Sequence, residues 1–266
     1  MARLARMKAQ VYVDPRPKEH FDRFHERART RDPDWAYELT RVGTSLNAYL
    51  VFRARAIAPE NVPARGPVIL APNHFSFMDH FLIGCYLRRK IRFMAKSQMF
   101  KPPAQFIYTH GGVFPVRRGH RDEEAFTTAE VILGRGGLVT MYCEGGRSRT
   151  GKLSDTVRPG IGRLALETGA PVVPTAIFGS SRARNWKHLE FPKVTIQYGE
   201  PFAYPKVASP SRAQQQAVAE DIFTEIRRLY AGLEELGRRG VVQRLRAQRR
   251  AARRSPKATA PASRAG

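Results

Sequence analysis

Hydrophobic positions along this sequence alternate between short continuous runs and helical spacings, which predicts strands and helices in alternation. Short apolar runs bounded by glycine, proline or asparagine are typical of buried strands. Strands are predicted at residues 68–71, 91–95, 113–116, 138–143, 172–178 and 194–198. Helices between them are predicted at residues 79–87, 100–109, 123–133 and 161–168. This order favours an α/β domain with a mostly parallel or mixed central sheet flanked by helices.

Two longer helices are predicted outside this core. Residues 35–51 place apolar side chains at three- and four-residue steps, as an amphipathic helix does. Such a helix packs on the domain or lies in a bilayer interface, and we expect packing on the domain. Residues 214–236 repeat the pattern, which predicts a C-terminal helix docked on the sheet. The apolar positions of the first helix are Trp35, Leu39, Val42, Leu46, Tyr49 and Leu50.

Charge and composition divide the chain into three segments. Residues 1–34 mix acidic and basic side chains with little apolar periodicity, which predicts a partly ordered arm. Residues 35–236 hold the predicted α/β domain with its amphipathic N-terminal helix. Residues 237–266 are rich in arginine and alanine and contain 10 basic residues and no acidic one. We expect a disordered basic tail there.

The formal net charge of +23 implies an anionic partner, such as a phospholipid surface, a phosphorylated substrate or nucleic acid. A helix-turn-helix pattern, a zinc-finger spacing and an RNP motif are all absent from the sequence, so we do not expect nucleic acid. No apolar run approaches the ~20 residues that span a bilayer, and the first residues lack the apolar core of a signal peptide. We therefore expect a cytoplasmic protein that is peripheral on the inner face of the cell membrane.

Candidate chemistry is densest where the first predicted strand of the domain ends. Residues 67–79 run from an apolar strand into Asn73, His74, Ser76 and Asp79. On one regular helix His74 and Asp79 would point about 140° apart, so their cooperation requires a turn. A strand-to-helix turn is a usual place for catalytic groups in α/β proteins. An imidazole beside a carboxylate is suited to general-base catalysis at neutral pH.

Three further blocks follow in order. The first is a glycine pair leading into a strand that ends in two arginines, whose planar side chains bind phosphate oxygens in pairs. The second is a smooth strand followed by Glu144, Gly145 and Arg147, where glycine allows close approach of the backbone to a ligand. The third is Pro174 within a predicted strand, which indicates a sheet edge, a bulge or a pocket-lining position. The first block comprises Gly111, Gly112, Phe114, Arg117 and Arg118.

Together the four blocks resemble the motifs of the glycerolipid acyltransferase family, which includes the lysophosphatidic acid acyltransferases. The resemblance covers residues 61–200 and implies a single domain of the glycerol-phosphate acyltransferase type. It implies His74 and Asp79 as the catalytic pair. The substrate phosphate-binding residues that it implies are Arg117, Glu144, Gly145 and Arg147. The supporting residues that it implies are Asn73, Ser76, Gly111, Phe114 and Pro174.

The resemblance also implies an activity. A fatty acyl group would pass from acyl-CoA or acyl carrier protein to the free hydroxyl of 1-acylglycerol 3-phosphate and give phosphatidic acid, with no cofactor and no metal. The implied partners are the acyl thioester, a lysophospholipid and an anionic membrane surface. Two positions depart from the family pattern, because Gly146 stands where threonine is usual and Pro115 where an aliphatic residue is usual. Both departures leave the choice of substrate open.

Other classes of protein explain the motifs less well. Another lysolipid or glycolipid acceptor stays open within the same chemistry, and a non-enzymatic protein that binds anionic membranes or nucleic acid is the alternative outside it. Residues 146–152 fit G-x-x-x-x-G-K, but Leu153 stands where a P-loop needs serine or threonine. The sequence has no G-x-S-x-G elbow for a serine hydrolase and no H-E-x-x-H for a metal hydrolase. We therefore prefer acyl transfer.

Overall fold

One mixed sheet forms the centre of the protein, in a computed structural model that describes residues 4–5, 13–119 and 122–254. Its strands are β1 (Arg55–Ile57), β2 (Val68–Pro72), β3 (Ile91–Lys96), β4 (Val113–Val116), β5 (Leu138–Thr140), β6 (Val172–Phe178) and β7 (Thr195–Tyr198). They are arranged in the order β1-β7-β6-β2-β5-β3-β4. β6 and β7 pair in antiparallel fashion, and the other neighbours are parallel. The expected α/β class with a mixed central sheet is confirmed.

Helices connect the strands. They are α1 (Asp22–Thr30), α2 (Trp35–Leu50), α3 (Asp79–Leu82), α4 (Ala104–His110), α5 (Glu123–Gly134), α6 (Gly160–Thr168) and α7 (Arg212–Arg254). Short 3-10 helices lie at Lys18–Phe21, Pro59–Asn61, Ser97–Met99 and Ser180–His188. Among the residues described, none of these helices combines the length and the apolar character needed to cross a bilayer.

β2 is buried along its whole length because helices cover both faces of the sheet. Successive side chains of a strand point to opposite faces, so Ile69 and Ala71 pack on one side and Val68 and Leu70 on the other. The first side is covered by α5, α6 and the beginning of α7, and the second side by α2 and α3. The strand that leads into the predicted catalytic motif is therefore a fully buried strand in the interior of the sheet.

The chain divides into two compact units, Met1–Tyr230 and Ala231–Gly266. α7 contributes to both, and it is interrupted at Gly237, whose φ is +62°. In the second unit the helix continues to Arg254, where the sequence analysis expected a disordered tail. Arginine and alanine are strong helix formers, which accounts for the difference. The rest of that tail lies outside the described residues, and the predicted domain boundaries stay predictions.

The described part of the N-terminal segment is ordered, although the sequence analysis expected a partly ordered arm. Phe21, Phe24 and Ala28 are buried as α1 packs on the domain. The C-terminal end of α1 is held by Arg92, which donates hydrogen bonds to the carbonyl oxygens of Ala28 and Arg31. The apolar positions of this helix are few and stand among charged residues, so periodicity alone did not reveal it.

Some predicted elements differ from the structure in extent or place. Helix α3 has a single turn, Asp79–Leu82, where a longer helix was predicted. Strand β1 was missed because it has three residues and begins with an exposed arginine. The sheet-edge interpretation of Pro174 is wrong, because β6 lies between β7 and β2. The carbonyl oxygen of Pro174 accepts a hydrogen bond from the N–H of Gly199 at 2.8 Å.

Helix α2 presents its apolar stripe outward. The expectation that it packs on the domain through these residues is wrong, because each of the five is between 61% and 70% exposed: Trp35, Leu39, Val42, Leu46 and Leu50. The helix packs through its other side, where Tyr37 and Ala48 are buried. The hydroxyl of Tyr37 accepts a hydrogen bond from the N–H of Ile91 at 3.0 Å. A wide apolar surface is therefore left exposed.

Candidate active site

Four parallel strands bring their carboxyl ends together, since β2, β5, β3 and β4 are consecutive neighbours in the sheet. Ligands of α/β proteins bind at this edge. β2 leads into the loop with His74, β5 leads into the loop with Glu144, β3 ends at Lys96 and β4 is followed closely by Arg118. The topology thus gathers polar groups from four separate parts of the sequence.

The loop after β2 holds His74 and Asp79 as a hydrogen-bonded pair. Nδ1 of His74 lies 2.9 Å from Oδ2 of Asp79, and the ring donates because a carboxylate only accepts. The same oxygen accepts hydrogen bonds from the backbone N–H groups of Phe75 and Ser76, both at 2.7 Å. The hydroxyl of Ser76 accepts from the N–H of Met78 at 3.2 Å and closes the turn. These donors fix the carboxylate and leave Nε2 of His74 as a proton acceptor.

Two neighbouring side chains fix the position of this loop. The side chain of Asn73 accepts from the N–H of Ile177 at 2.7 Å and donates to the carbonyl oxygen of the same residue at 3.2 Å. Oε1 of Glu144 accepts a hydrogen bond from the backbone N–H of His74 at 3.0 Å. The histidine is therefore tied to β6 on one side and to the loop after β5 on the other.

Burial and charge act in opposite directions on His74. Burial lowers the pKa of the imidazole, the hydrogen bond and charge of Asp79 raise it, and the resulting pKa lies below the ordinary 6.5. The residue is only 4% exposed, and its ring stacks on Tyr142 with a centroid distance of 3.9 Å. A neutral imidazole that carries its proton on Nδ1 can accept a proton at Nε2 at neutral pH, so the geometry fits a general base.

Glu144 carries a second perturbed carboxyl group. Burial raises the pKa of Glu144 to about 7, although the hydrogen bond from the backbone of His74 opposes the shift. Its Oε2 atom is buried and has no hydrogen-bond partner in the part of the chain that the structure describes. A buried oxygen of this kind is costly unless a ligand satisfies it. Glu144 is therefore well suited to bind a hydroxyl group of a substrate.

A polar cavity of about 690 Å³ opens beside Glu144. Gly145, Arg118 and Arg147 line this cavity. Burial, followed by the positive charges of Arg147 and Arg118, lowers the pKa of the nearby Lys96. Cations that crowd one another in this way destabilise their charged forms, and a bound anion relieves the repulsion. The cavity is therefore suited to a phosphate group.

The two adjacent arginines of the second block have different surroundings. Arg118 lines the polar cavity, whereas the guanidinium of Arg117 donates to the carbonyl oxygen of Arg16 at 3.4 Å. The backbone N–H of Arg117 donates to the carboxylate of Asp122 at 2.6 Å. Successive residues at the end of a strand point to opposite sides. The structure therefore brings Arg118, not the predicted Arg117, to the candidate phosphate site.

Other predicted site residues have packing roles. Gly145 adopts φ +66°, and a Cβ there would lie 2.8 Å from Cγ of Arg158, so only glycine suits the position. Gly111 ends α4, where a Cβ would lie 2.8 Å from a carbonyl oxygen of the preceding turn. Phe114 and Pro174 are buried within the sheet. These residues shape the backbone and the core around the site.

A second cavity, of about 280 Å³, is lined mainly by apolar side chains. Residues of α2, α3, β3 and α4 contribute to its wall, among them Phe81 and Phe93, and Met99 of the 3-10 helix Ser97–Met99 adds to it. Phe77 and Ile107 also line it and are 42% and 54% exposed, so the cavity reaches the protein surface. Such a wall suits an alkyl chain.

His80 and Tyr142 stand between the two cavities. His80 lines the apolar cavity and Tyr142 lines the polar one. Nδ1 of His80 lies 2.6 Å from the hydroxyl oxygen of Tyr142. The ring of His74 lies 5.0 Å from the ring of His80 and 3.9 Å from that of Tyr142. His74 thus packs against one residue from the wall of each cavity.

Sequence reasoning missed several of these residues. Lys96 gave no motif, because only the order of strands brings it beside the other cations. His80 directly follows Asp79 and Tyr142 stands two positions before Glu144, and this closeness in sequence was the available signal. The apolar cavity gave no signal, because its wall is assembled from side chains that are scattered along the chain.

A family comparison agrees with this geometry. Residues 53–178 match a family model described as Acyltransferase. The matched segment contains both the His74–Asp79 pair and Glu144. Over residues 53–178 the chain is therefore similar to this acyltransferase family.

Two curated proteins that are similar to this chain are named as acyltransferases of glycerol phosphates. A chloroplastic 1-acyl-sn-glycerol-3-phosphate acyltransferase, BAT2, from Brassica napus is 25% identical over 148 residues, which are 54% of this chain and 42% of that protein. A glycerol-3-phosphate acyltransferase from Aeromonas hydrophila is 28% identical over 150 residues, which are 50% of this chain and 18% of that protein. The match thus spans less than half the length of either relative.

A solved structure shares the fold. The 1-acyl-sn-glycerophosphate (LPA) acyltransferase PlsC from Thermotoga maritima is similar with a TM-score of 0.56 and 23% sequence identity. The similarity covers 79% of this chain and 88% of that chain. At this identity the likeness concerns the architecture of the domain.

Proposed function

We propose that the protein transfers a fatty acyl group from a thioester to the free hydroxyl of 1-acylglycerol 3-phosphate. The observation that carries this proposal is the His74–Asp79 pair beside a cationic cavity and an apolar cavity. The acceptor has a phosphate and the donor has an alkyl chain, so the two cavities offer one place for each. The names of both curated relatives specify a glycerol phosphate acceptor, which supports the same choice.

The reaction follows from the tautomer of His74. Nε2 removes the proton of the acceptor hydroxyl while the hydroxyl oxygen attacks the carbonyl carbon of the thioester. Asp79 keeps the proton on Nδ1 and stabilises the imidazolium that forms. The tetrahedral intermediate expels the thiolate, which takes the proton from Nε2 and leaves as a thiol. No acyl-enzyme forms, because the acceptor hydroxyl is itself the nucleophile.

The polar cavity binds the acceptor in this proposal. Arg118 and Arg147 bind the phosphate with paired hydrogen bonds, and Lys96 adds a positive charge nearby. Glu144 binds the glycerol part through its buried Oε2 atom. The predicted role of Arg117 passes to Arg118, since the latter lines the cavity.

The apolar cavity binds the acyl chain of the donor. Its wall of aromatic and aliphatic side chains ends at His80, whose ring lies 5.0 Å from that of His74. An alkyl chain placed there brings its thioester to the catalytic pair. The thiol part of the donor lies outside this cavity in the proposal. The acyl-transfer assay below distinguishes CoA from acyl carrier protein.

The exposed stripe of α2 binds the surface of a bilayer in this proposal. At about 100° per residue, the stripe formed by Leu39, Val42 and Leu46 lies opposite Thr40 and Thr44, which line the apolar cavity. One side of the helix is therefore available to lipid while the other forms the acyl site. Amphipathic helices bind interfaces through such a stripe, and a lipid substrate comes from the same surface. We accordingly propose a peripheral protein on the inner face of the cell membrane.

The basic second unit adds electrostatic attraction to anionic lipids. Residues 238–266 carry 10 arginine and lysine residues and no acid. Each basic residue that reaches an anionic surface contributes about 1 kcal/mol. Removal of residues 238–266 should weaken binding to anionic vesicles at low salt and leave binding to neutral vesicles unchanged. Equal binding with and without the segment would contradict this role.

An acyl-transfer assay tests the proposed function. The purified protein is mixed with labelled acyl-CoA or acylated carrier protein and with 1-acylglycerol 3-phosphate, glycerol 3-phosphate or a lysolipid without phosphate. We expect labelled phosphatidic acid, and the donor that gives it identifies the thiol part.

Two histidine variants control the assay. His74→Ala should abolish turnover while circular dichroism and thermal unfolding stay unchanged. His188→Ala removes an exposed histidine outside the site and should leave the activity unchanged. Product formation at the wild-type rate by His74→Ala, or no product with any donor and acceptor, would contradict the proposal. Exclusive use of glycerol 3-phosphate would keep the chemistry and change the acceptor.

A further inference from the structure

His80 has no role in the reaction described above, although it directly follows Asp79 on α3. Its ring lines the apolar cavity and lies 5.0 Å from the ring of His74. Phe93 packs edge-on against it at 5.5 Å and Phe77 at 6.1 Å. An imidazole enclosed by aromatic rings at the end of an acyl site is a polar group in an apolar wall, which calls for a partner.

Tyr142 fixes the tautomer of this imidazole. Its hydroxyl lies 2.6 Å from Nδ1 of His80, and no other hydrogen-bond partner of this hydroxyl exists within the described ranges. Burial lowers the pKa of His80 well below its ordinary value and raises the pKa of Tyr142 well above its own, so both groups are neutral at pH 7. A buried hydroxyl with one partner donates to it. Nδ1 is then the acceptor, and the ring proton resides on Nε2.

The tautomer determines where the N–H of His80 points. The two nitrogens of an imidazole point in diverging directions, so a ring with Nδ1 towards Tyr142 directs Nε2 away from the polar cavity. The same ring lines the apolar cavity, and its Nε2–H group is therefore available to a ligand there. Two neighbouring polar groups of that wall have partners within the protein, since Arg41 pairs with Glu38 and the hydroxyl of Thr44 donates to a backbone carbonyl oxygen.

We propose that His80 donates its Nε2–H to the carbonyl oxygen of the acyl thioester and stabilises the negative charge that develops on it. This role rests on the proposed acyl transfer. When the acceptor oxygen attacks, the C–O bond forms, the electron pair of the C=O bond moves to oxygen, and His80 keeps its proton while its hydrogen bond strengthens. As the C–S bond breaks, the carbonyl bond is restored. A preorganised donor of this type acts mainly on the transition state.

The neutral state of His80 is consistent with this role. A cationic imidazole in the apolar cavity would repel the imidazolium that forms on His74 during the reaction. A neutral ring donates without this repulsion, and neutral imidazole serves as an electrophile in a known isomerase. His74 and His80 thus have opposite tautomers, since Asp79 holds the proton of His74 on Nδ1 and Tyr142 holds that of His80 on Nε2.

Steady-state kinetics of four proteins test this proposal: wild type, His80→Phe, His80→Gln and Tyr142→Phe. His80→Phe should lower kcat by roughly 100-fold or more, the effect of removing one oxyanion donor, with the acceptor KM unchanged. His80→Gln keeps an N–H donor near the position of Nε2 and should recover at least about tenfold of this loss. Tyr142→Phe removes the hydrogen bond that fixes the tautomer of His80, and its kcat should lie between those of wild type and His80→Phe. Equal kcat values for the glutamine and phenylalanine variants, or for wild type and His80→Phe, would overturn the proposal.

A second measurement does not depend on turnover. A thioester labelled with 13C at the carbonyl is bound to His74→Ala and to the double variant His74→Ala/His80→Phe, and the carbonyl stretching frequency is recorded by infrared difference spectroscopy. The frequency should be lower in the protein that retains His80, because a hydrogen bond polarises the carbonyl. Equal frequencies would overturn the role of His80. An absence of acyl transfer by the wild type, with a lowered frequency, would contradict the proposed function and leave the hydrogen bond established.

Discussion

The polar cavity includes charged side chains from loops at the ends of strands, whereas the apolar cavity is lined mainly by side chains from helices α2, α3 and α4 and from β3. The first lies where the topology of a parallel sheet directs binding. The second is covered by α2, whose outward side is itself apolar. The ends of the strands thus form the proposed phosphate site, and helices that pack on the sheet form most of the proposed acyl site.

This difference explains why the two cavities place different demands on the sequence. The polar cavity needs particular residues, such as Gly145 with its left-handed backbone and Arg147 with its fixed charge. The apolar cavity needs only a suitable volume, which many combinations of side chains provide. Substitutions on the polar side should therefore change rate and affinity sharply, and those on the apolar side should change the choice of substrate.

The largest effect is expected for Asp79→Asn at the polar side. The amide cannot accept all three hydrogen bonds that converge on Oδ2, so His74 loses its tautomer and its orientation. We expect kcat to fall by roughly 10³- to 10⁴-fold, as in a triad that loses its acid. Steady-state kinetics with circular dichroism as a folding control measure this. A kcat within tenfold of wild type would show that the pair does not carry the reaction.

Glu144→Gln should change the pH dependence of stability. Because the pKa of about 7 in the folded protein exceeds the ordinary 4.5, the folded state binds the extra proton, and the resulting stabilisation is complete below pH 4.5 and lost as the pH rises to about 7. Relative to the glutamine variant, the wild type should lose up to about 3 kcal/mol between pH 4.5 and pH 8. Urea unfolding of both proteins at a series of pH values measures this difference. The control Glu235→Gln changes an exposed glutamate, and its free energy of unfolding should have the same pH dependence as that of the wild type. A constant difference across this range would contradict the raised pKa.

Arg118→Gln should weaken binding of the acceptor phosphate. One charge-assisted hydrogen bond contributes about 1.5–3 kcal/mol, so the acceptor KM should rise at least about tenfold. The matched variant Arg117→Gln should leave this KM within about twofold, because its guanidinium binds Arg16 instead of lining the cavity. An acceptor without phosphate should respond to neither variant. A larger increase of the acceptor KM in Arg117→Gln than in Arg118→Gln would show that Arg117, the residue predicted from sequence, binds the phosphate.

The smallest effect is expected at the outward side of α2. Leu46→Gln removes one leucine from the apolar stripe and should weaken binding to vesicles by roughly 1 kcal/mol, about fivefold, since an interface buries the side chain in part. Cosedimentation with vesicles measures this. Leu189→Gln changes a leucine outside α2 that is even more exposed, at 80% against 61% for Leu46, and this variant should bind vesicles as wild type does. An equal loss of vesicle binding in both variants would contradict the role of α2 as the membrane-binding surface.

The sequence predicted most of the sheet and the pairing of His74 with Asp79 because both depend on local signals. Apolar runs marked β2, β4 and β6, and the spacing of His74 and Asp79 required the turn that is found. The orientation of Arg117 and Arg118 could not be decided, because it depends on how the chain leaves β4. The buried side of α1 was also missed, since its packing on the domain depends on side chains far along the chain.

The apolar side of the site was beyond sequence reasoning for a related reason. The stripe on α2 has the periodicity of a packed helix, and only tertiary structure reveals that it faces outward. Thr40 and Thr44, on the other side of the helix, give no apolar pattern although they line the apolar cavity. Amphipathic periodicity thus located the helix and left open which of its sides meets the protein.

The acyl-chain preference of Gly84→Leu tests the division of labour between the cavities most directly. Gly84 lines the apolar cavity, and a Cβ there would have only ordinary contacts of 3.6 to 3.8 Å, so a leucine can extend into the space without displacing backbone. With thioesters of increasing length, the variant should prefer shorter chains than wild type while the acceptor KM stays unchanged. Gly134→Leu, at a position open to solvent, should keep the wild-type preference. An unchanged chain-length profile in Gly84→Leu, or a raised acceptor KM with the profile intact, would contradict the assignment of the two cavities.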